Sequence, residues 1–208
     1  MRQFTRFLDL LDKLSARGVT FEIRHCAASA AMLNYPCTHL DMVRPGIATY
    51  GVLPSEDLRG MIDLRPVMSL RSTIFQIRDF EPNITISYGR TYTTEDPARI
   101  AVVGIGYADG FPRSLSSNVS FLLHGRRVPQ VGRICMDMCM VDITRVPEAK
   151  VGDVVTVFGE DGGDSIELTS LANRLGTIPY ELMCGINKRI PRIYLNGEDE
   201  TEVLQYIV

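Results

Sequence analysis

Hydrophobic residues recur at two different spacings along the chain, and the change of spacing falls near residue 64. Over residues 1–16 the apolar side chains follow a helical spacing with most charges on the opposite face, which predicts a surface helix. Helical and buried-strand patterns then alternate. The predicted elements that follow are a short buried strand over 19–23, a helix over 27–33 that begins near Ser29, and apolar stretches at 42–43 and 47–50.

This alternation is typical of parallel α/β structure, in which a crossover helix joins each strand to the next. Two strands neither close a barrel nor form a stable sheet on their own. Residues 1–65 are therefore predicted to be the end of a larger α/β domain whose earlier strands lie outside this sequence.

From residue 64 onward the spacing changes to two. Apolar and β-branched residues alternate or run together between turns rich in Pro, Gly, Asn and Asp. This pattern predicts an all-β domain over 66–208, with a boundary near Arg65 and Pro66. The predicted strands are 67–77, 100–105, 119–123, 127–131, 135–143, 153–158 and 190–195, and one helical insertion is predicted over 166–175.

Composition narrows the class of protein. The 208 residues are 45% hydrophobic and 23% charged, and no run of about twenty apolar residues occurs, which predicts a globular chain without a membrane span. The 22 Lys and Arg residues nearly balance the 25 Asp and Glu residues, so no overall field attracts nucleic acid or an anionic membrane. Any ligand must therefore be held by locally placed charge.

The cysteines indicate the compartment and argue against a metal site, and lysines are few. Five cysteines without a secretion signal favour a reducing cytoplasm and buried free thiols. Cys135 and Cys139 lack the further ligands of a zinc site, so no metal is expected. Only three of the cations are lysines, namely Lys13, Lys150 and Lys188.

The first candidate cluster combines His25 and Ser29 with Arg44, Gly46 and Ile47. A helix start at Ser29 and a loop at Gly46–Ile47 could form a cradle for phosphate, although on pattern alone a plain helix N-cap and a turn glycine are the favoured interpretations. Arg44 ends an apolar stretch, where an arginine is either directed at a ligand or buried in a salt bridge.

Three loops of the β domain form the other candidates. Tyr88 lies in a polar loop and could act as a general base if a neighbour such as Arg90 lowered its pKa, but a packing aromatic is the usual role of a tyrosine beside a glycine in such a loop. The segment 104–110 contains a GxG sequence without the context of a dinucleotide site, so a strand ending in an Asp-Gly turn is the better interpretation. Asp137 lies in an apolar run, where an outward-facing strand position is the simple alternative.

In this order and at these separations, seven segments resemble the C-terminal half of the alanine racemase family, a fold type III family dependent on pyridoxal 5'-phosphate (PLP). The resemblance covers essentially the whole chain and implies the C-terminal part of a PLP-binding (β/α)8 barrel over 1–65, followed by the family's β domain over 66–208. The segments are 25–31, DMVRPGIATYG at 41–51, LRPVMSLRST at 64–73, ISYGRTY at 86–92, GIGYADG at 104–110, VGRICMD at 131–137 and 177–192.

The resemblance also assigns cofactor contacts. Arg44 matches the arginine that hydrogen-bonds the PLP ring nitrogen, where an always-charged donor would keep that nitrogen unprotonated. Ser29, the amides of Gly46 and Ile47, and Tyr180 match the groups that bind the phosphate.

Catalytic and substrate roles follow from the same resemblance. Tyr88 matches one of two catalytic bases, which serves the L-alanine face and reaches across a homodimer interface into the partner's site. The Met136 amide matches a group that meets the substrate carboxylate, with Asp137 beside it, and Tyr107 matches an entrance tyrosine. The implied activity is two-base interconversion of L- and D-alanine, which supplies D-alanine for cell-wall synthesis.

The second base in this family is the lysine that binds PLP, and none of the three lysines lies in the family's motif for it. We therefore expect the chain alone to be inactive and to need a missing N-terminal half. Two alternatives stay open at this stage: a non-catalytic dimerisation or interaction module, and a racemase fragment for another amino acid such as serine.

Overall fold

The computed structural model describes residues 1–197 and 199–206. The chain divides into two compact units, one from Met1 to Val67 and one that begins at Met68. The first unit contains α1 (Arg2–Ser15), α2 (Ser29–Asn34) and short 3-10 helices at Pro36–Thr38, Ile47–Tyr50 and Glu56–Leu58.

Helix α1 confirms the first helical pattern. No residue of α1 is buried, which fits a surface helix with one apolar face. By contrast, the strand predicted over 19–23 is wrong: these residues form no strand, and Val19, Phe21 and Ile23 are exposed. A strand needs a neighbouring strand for its backbone groups, and no described residue pairs with this segment.

Parallel pairing in the first unit is limited to one bridge. Ala28 and Arg44 pair in parallel, with α2 in the connection between them. The apolar stretch at 47–50 is a 3-10 helix rather than a strand. The alternation of extended and helical chain is therefore present, but regular strands are not formed among the described residues of this unit.

The main sheet of the second unit has seven strands: β1 (Leu70–Phe80), β4 (Ala98–Val103), β5 (Ser120–Leu123), β6 (Arg126–Val131), β7 (Cys139–Asp142), β8 (Val154–Asp161) and β9 (Asp164–Ile166). Six of these strands form a closed antiparallel barrel in the order β1-β4-β7-β6-β5-β8, and β8 pairs back with β1. The seventh strand, β9, pairs with β8.

Two small hairpins and two helices complete this unit. One hairpin pairs β2 (Thr85–Ile86) with β3 (Tyr92–Thr93), and the other pairs β10 (Arg192–Asn196) with β11 (Asp199–Leu204). Helix α3 (Leu168–Leu175) confirms the predicted helical insertion, whereas α4 (Pro179–Gly185) was not predicted.

The strand predicted over 135–143 is only half correct. The ladder of β7 begins at Cys139, and residues 132–138 form a loop before it. Asp137 therefore lies in a loop and not at an outward-facing strand position.

Several barrel strands bury side chains on both faces, because consecutive residues are buried at 121–123 in β5 and at 155–158 in β8. Phe121, Leu122, Val103, Val141 and Val157 are completely or almost completely buried. Phe121 also meets Phe111 edge to face, with ring centroids 5.4 Å apart.

Free thiols are distributed differently from the expectation that all are buried. Cys139 is buried, and that burial raises the pKa of its thiol strongly. Cys26 and Cys135 are half-buried, whereas Cys37 and Cys184 are exposed, so the prediction is wrong for these two. None of the described helices has the length and apolar character to cross a membrane.

One ion pair links two distant parts of the first unit. The Arg24 Nε atom lies 2.7 Å from Asp41 Oδ2, and the Arg24 amide donates to the same oxygen at 2.9 Å. The side-chain hydrogen bond from Arg24 lowers the pKa of Asp41 to about 2.

The Asp41→Asn variant should therefore show pH-dependent destabilisation. A lowered carboxyl pKa in the folded chain stabilises it above the unfolded pKa of about 4, and that stabilisation disappears as pH falls through about 2. We expect the melting temperature of the parent to exceed that of Asp41→Asn near pH 6 and the two to converge near pH 2. A difference that persists unchanged at pH 2 would contradict this role.

Truncation of the barrel core should destabilise the second unit. The Phe121→Ala variant removes a fully buried ring and its contact with Phe111, so we expect a loss of about 3–5 kcal/mol in the free energy of unfolding. Phe121→Leu, which retains most of the volume, should lose clearly less in the same urea titration. Equal losses for the two variants would show that the cavity is not the cause.

Candidate functional site

Arg44 is held in an exposed position by neutral acceptors. Its Nη1 atom lies 2.5 Å from His25 Nδ1, and Nη2 donates to the Cys26 carbonyl at 3.4 Å. Because a guanidinium carries only donors, Nδ1 of His25 accepts, which leaves its proton on Nε2. Arg44 forms no ion pair within the described residues, so the buried salt bridge considered for it is wrong.

The backbone around Arg44 explains this placement. The Arg44 amide donates to the Ala27 carbonyl at 2.9 Å, within the parallel bridge that joins the two chain segments. His25 precedes this bridge on one segment, and Arg44 lies on the other. The pairing therefore brings both side chains to the same place, although 19 residues separate them.

Ser29 is buried and bonds to a second segment rather than capping its own helix. Ala28 is the N-cap of α2, so the predicted capping role of Ser29 is wrong. The Ala48 amide donates to Ser29 Oγ at 3.3 Å. This contact brings the first turn of α2 to the first turn of the 3-10 helix at Ile47–Tyr50.

The amides beside this contact are free to bind a ligand. Gly46 is the N-cap of the 3-10 helix and Ile47 is its first residue. Their N–H groups make no hydrogen bond within the part of the chain that the structure describes. Unpaired amides at the start of a helical turn favour an anion, with the Ser29 hydroxyl adjacent.

In the second unit, two loops leave the barrel side by side. Val103 at the end of β4 pairs with Cys139 at the start of β7, so loop A (residues 104–110) and loop B (residues 132–138) begin at neighbouring positions. They are also bonded to each other. The Tyr107 amide donates to the Cys135 carbonyl at 3.0 Å, and the Ala108 amide donates to the Met136 carbonyl at 2.9 Å.

Gly106 allows this close approach. A Cβ atom at Gly106 would lie only 2.3 Å from the carbonyl oxygens of Cys135 and Met136, both of which are backbone atoms. The contact brings Tyr107 next to Met136. The Met136 amide itself donates to no acceptor among the described residues, so it remains available to a ligand.

The turn that carries Tyr88 is fixed to loop B. Ser87 Oγ accepts from the Arg133 amide at 2.8 Å and donates to the Arg133 carbonyl at 3.2 Å. Ser87 and Arg90 both adopt positive φ values, which residues other than glycine disfavour. The hydrogen bonds between Ser87 and Arg133 therefore help to hold the turn in this conformation. The Arg133 guanidinium lies against Gly89, and its Nε atom is buried without a hydrogen-bond partner.

Three predicted side chains at these loops face solvent. Tyr88 is 74% exposed, Met136 is 54% exposed and Tyr107 is 43% exposed. The structure thus brings Tyr88, Tyr107, Met136 and Asp137 onto three connected loops. Tyr180 belongs to α4 rather than to these loops. The predicted influence of Arg90 on Tyr88 stays a prediction.

Sequence reasoning missed Arg189. Its Nε atom lies 2.7 Å from Asp109 Oδ1, and its Nη2 atom lies 2.6 Å from Asp137 Oδ1. The hydrogen bonds that Arg189 donates to Asp109 and Asp137 raise the pKa of Arg189. His25 was noted but not recognised as the partner of Arg44. Arg189 lies within the segment 177–192, which supported the resemblance. Its contacts were not predicted because its partners are 80 and 52 residues away in sequence.

Comparison with known proteins places this arrangement in a family of amino-acid isomerases. The family model described as alanine racemase, C-terminal domain, matches residues 67–194, and alanine racemase, N-terminal domain, matches residues 1–54. Because the first match alone covers more than half of the sequence, the chain belongs to the alanine racemase family.

Individual relatives agree. The chain is 46% identical over 205 residues to alanine racemase 2 of Caldanaerobacter subterraneus, covering 99% of this chain and 53% of that protein. It is 49% identical over 195 residues to alanine racemase of Methanococcus maripaludis, covering 93% and 52%. The chain thus spans about half the length of the curated relatives it matches.

Solved structures give the same result. A Clostridium difficile alanine racemase in complex with cycloserine matches with a TM-score of 0.94 and 41% identity, over 100% of this chain and 54% of that one. A Bacillus anthracis alanine racemase with bound L-Ala-P matches with a TM-score of 0.92 and 38% identity, over 98% and 53%.

The contact between loops A and B should be sensitive to a single methyl group. Gly106→Ala places a Cβ atom against two backbone carbonyls, so we expect a loss of about 1–3 kcal/mol in the free energy of unfolding and faster amide exchange in both loops. Gly185→Ala is the matched control, because its nearest neighbour is the Gly110 oxygen at 4.0 Å and its φ is not positive. Equal stability of the two variants would contradict the proposed approach.

Proposed function

We propose that this chain supplies the C-terminal part of a PLP-dependent alanine racemase, with its first unit as the C-terminal portion of a (β/α)8 barrel. Support for the barrel comes from the parallel bridge between Ala28 and Arg44, which encloses α2 in a crossover. The observation that carries the function is the arrangement of Arg44, an exposed guanidinium fixed by His25 without a carboxylate partner among the described residues.

The donors of the first unit fit the two polar ends of PLP. The free amides of Gly46 and Ile47 and the buried Ser29 hydroxyl suit a phosphate, because each can donate to an anionic oxygen. Tyr180 is proposed as a further phosphate ligand on the family resemblance alone. Arg44 suits the ring nitrogen, since a group that never loses its proton there keeps that nitrogen an acceptor.

When bound, PLP withdraws electrons from the α-carbon of an amino acid and so makes the α-proton acidic. The part assigned to this chain is to move that proton and to orient the substrate. The Tyr88 phenol oxygen removes or returns the proton on the L-alanine face. The free Met136 amide binds the substrate carboxylate, with Asp137 beside it and Tyr107 at the entrance.

None of the three lysines of this chain is proposed to bind PLP. Lys13 lies on the exposed surface of α1, and Lys150 is exposed before β8. Lys188 places its ammonium 5.8 Å from the centre of the Tyr206 ring. The second base is therefore assigned to a lysine in a segment equivalent to the remaining half of the relatives, and the chain alone is proposed to be inactive.

Three further parts of the proposal rest on the family resemblance. The assembly is proposed to be a homodimer in which Tyr88 of one copy serves the site of the other. Its product is proposed to be D-alanine for peptidoglycan precursors, made in the cytoplasm. The high exposure of Tyr88 is consistent with a side chain that acts outside its own unit.

Complementation tests the assignment of the lysine. The purified chain is mixed with PLP, reduced with borohydride and analysed by mass spectrometry, while L- to D-alanine conversion is measured. We expect no single-site adduct and no turnover from the chain alone. Addition of the N-terminal half of the Caldanaerobacter relative should restore both, with the adduct on the added half. A specific adduct on Lys13, Lys150 or Lys188 together with turnover would overturn the proposal.

The complemented enzyme also tests Tyr88. Removal of a general base typically costs about 100-fold or more, so Tyr88→Phe should lower kcat for L-alanine by at least that factor. Tyr194→Phe, the same change at another exposed tyrosine, in β10, should leave kcat unchanged. L-serine serves as the alternative substrate, and faster conversion of serine than of alanine would change the substrate assignment. Complexes that dimerise but never turn over either amino acid would favour the non-catalytic module.

A further inference from the structure

Arg189 connects two carboxylates from the two loops of the second unit. Asp109 belongs to loop A and Asp137 to loop B, and adjacent donors of one guanidinium bind both, at 2.7 and 2.6 Å. Arg189 is itself held, because its amide donates to the Asn187 side chain at 3.0 Å and the Asn187 amide donates to the Asp109 carbonyl at 2.9 Å. These backbone hydrogen bonds thus fix the position of Arg189 beside Asp109.

Asp109 extends the connection into the backbone of loop A. Its second oxygen, Oδ2, accepts from the Gly106 amide at 2.8 Å, and only 7% of its side chain is exposed. Gly106 is the residue whose backbone lies against Cys135 and Met136. A chain of direct contacts therefore runs from Arg189 through Asp109 to the point where loop A touches loop B.

The positive charge of Arg189 also affects how an anionic ligand could bind beside Asp137. Asp137 follows Met136 directly in the chain, and its side chain is 55% exposed, while the Met136 amide has no acceptor among the described residues. Without Arg189, the buried Asp109 and the exposed Asp137 would have no ion-pair partner among the described residues. An uncompensated negative charge repels an anionic ligand and opposes its binding.

We propose that Arg189 is a positioning residue that joins loop A to loop B and offsets the charge of Asp137, so that the Met136 amide can bind a substrate carboxylate. The substrate part of this inference rests on the proposed function. The joining of the loops does not, because it concerns the chain by itself.

Hydrogen exchange of the isolated chain tests the joining of the loops. Arg189→Gln removes the charge and the paired donors, and amides of loops A and B should then exchange roughly tenfold faster, the effect of losing one charge-assisted hydrogen bond. Arg127→Gln is the matched control, because Arg127 binds Asp164 in the same unit through Nε at 2.7 Å and Nη2 at 2.8 Å. Arg189→Lys keeps the charge, so a soluble variant is available if Arg189→Gln does not fold.

Kinetics of the complemented enzyme test the effect on the substrate. Arg189→Gln should raise KM for alanine by roughly tenfold or more with a smaller change in kcat, because it weakens carboxylate binding and not proton transfer. Arg189→Lys should recover part of this loss, and adding Asp137→Asn to Arg189→Gln should recover part as well, since it removes the uncompensated charge. A merely structural role would not respond to Asp137→Asn.

The two proposals fail in different ways. If the parent complex racemises alanine but Arg189→Gln behaves like Arg127→Gln in both exchange and KM, the inference about Arg189 is wrong and the proposed function stands. If no complex is active, the function is wrong, and the exchange data still decide whether Arg189 joins the loops. Unchanged exchange in Arg189→Gln would overturn the joining role in either case.

Discussion

The second unit depends on one strand that pairs twice. β1 is 11 residues long, and its first part pairs with β8 while its second part pairs with β4. Register shifts occur in both ladders, as expected where a strand bends to close a barrel. Closure leaves neither end of the six-strand circuit with an unpaired edge, so the strand ends have fixed positions from which the loops depart.

Those fixed ends determine where the candidate chemistry lies. Because Val103 pairs with Cys139, the loop after β4 and the loop before β7 begin at neighbouring positions, and two backbone hydrogen bonds then hold the loops together. The hairpin of β2 and β3 brings the Tyr88 turn to the same region through Ser87 and Arg133. In the first unit, the single parallel bridge between Ala28 and Arg44 brings the side chains of His25 and Arg44 into contact.

Sequence patterns predicted the barrel strands well because apolar residues that alternate or run together between turns mark the segments whose side chains are buried. The same reasoning gave a wrong strand at residues 19–23. An apolar pattern indicates that a segment tends to be buried, but a strand also needs a neighbouring strand to pair with. Asp137 was placed in a strand for a related reason, because the apolar residues of loop B resemble a strand interior. The roles of Tyr88 and Arg44 came from the family resemblance rather than from spacing.

Contacts between distant residues lay beyond any local pattern. Arg189 binds Asp109 and Asp137 from 80 and 52 residues away, and nothing in its own surroundings indicates either partner. His25 was visible as a candidate, but only the parallel bridge shows that it meets Arg44. Long-range ion pairs therefore remain the part of a site that a single sequence reveals least.

Backbone-to-backbone contact at the glycines limits how this region can diversify. Gly106 and Gly110 both touch main-chain atoms of another segment, at distances that leave no room for any side chain. Such contacts cannot be adjusted by exchanging one side chain for another of similar size, as a packed core can. Any change in what this region contacts would therefore have to arise at outward-facing positions such as Tyr107 and Met136, because main-chain contacts fix the spacing of the loops.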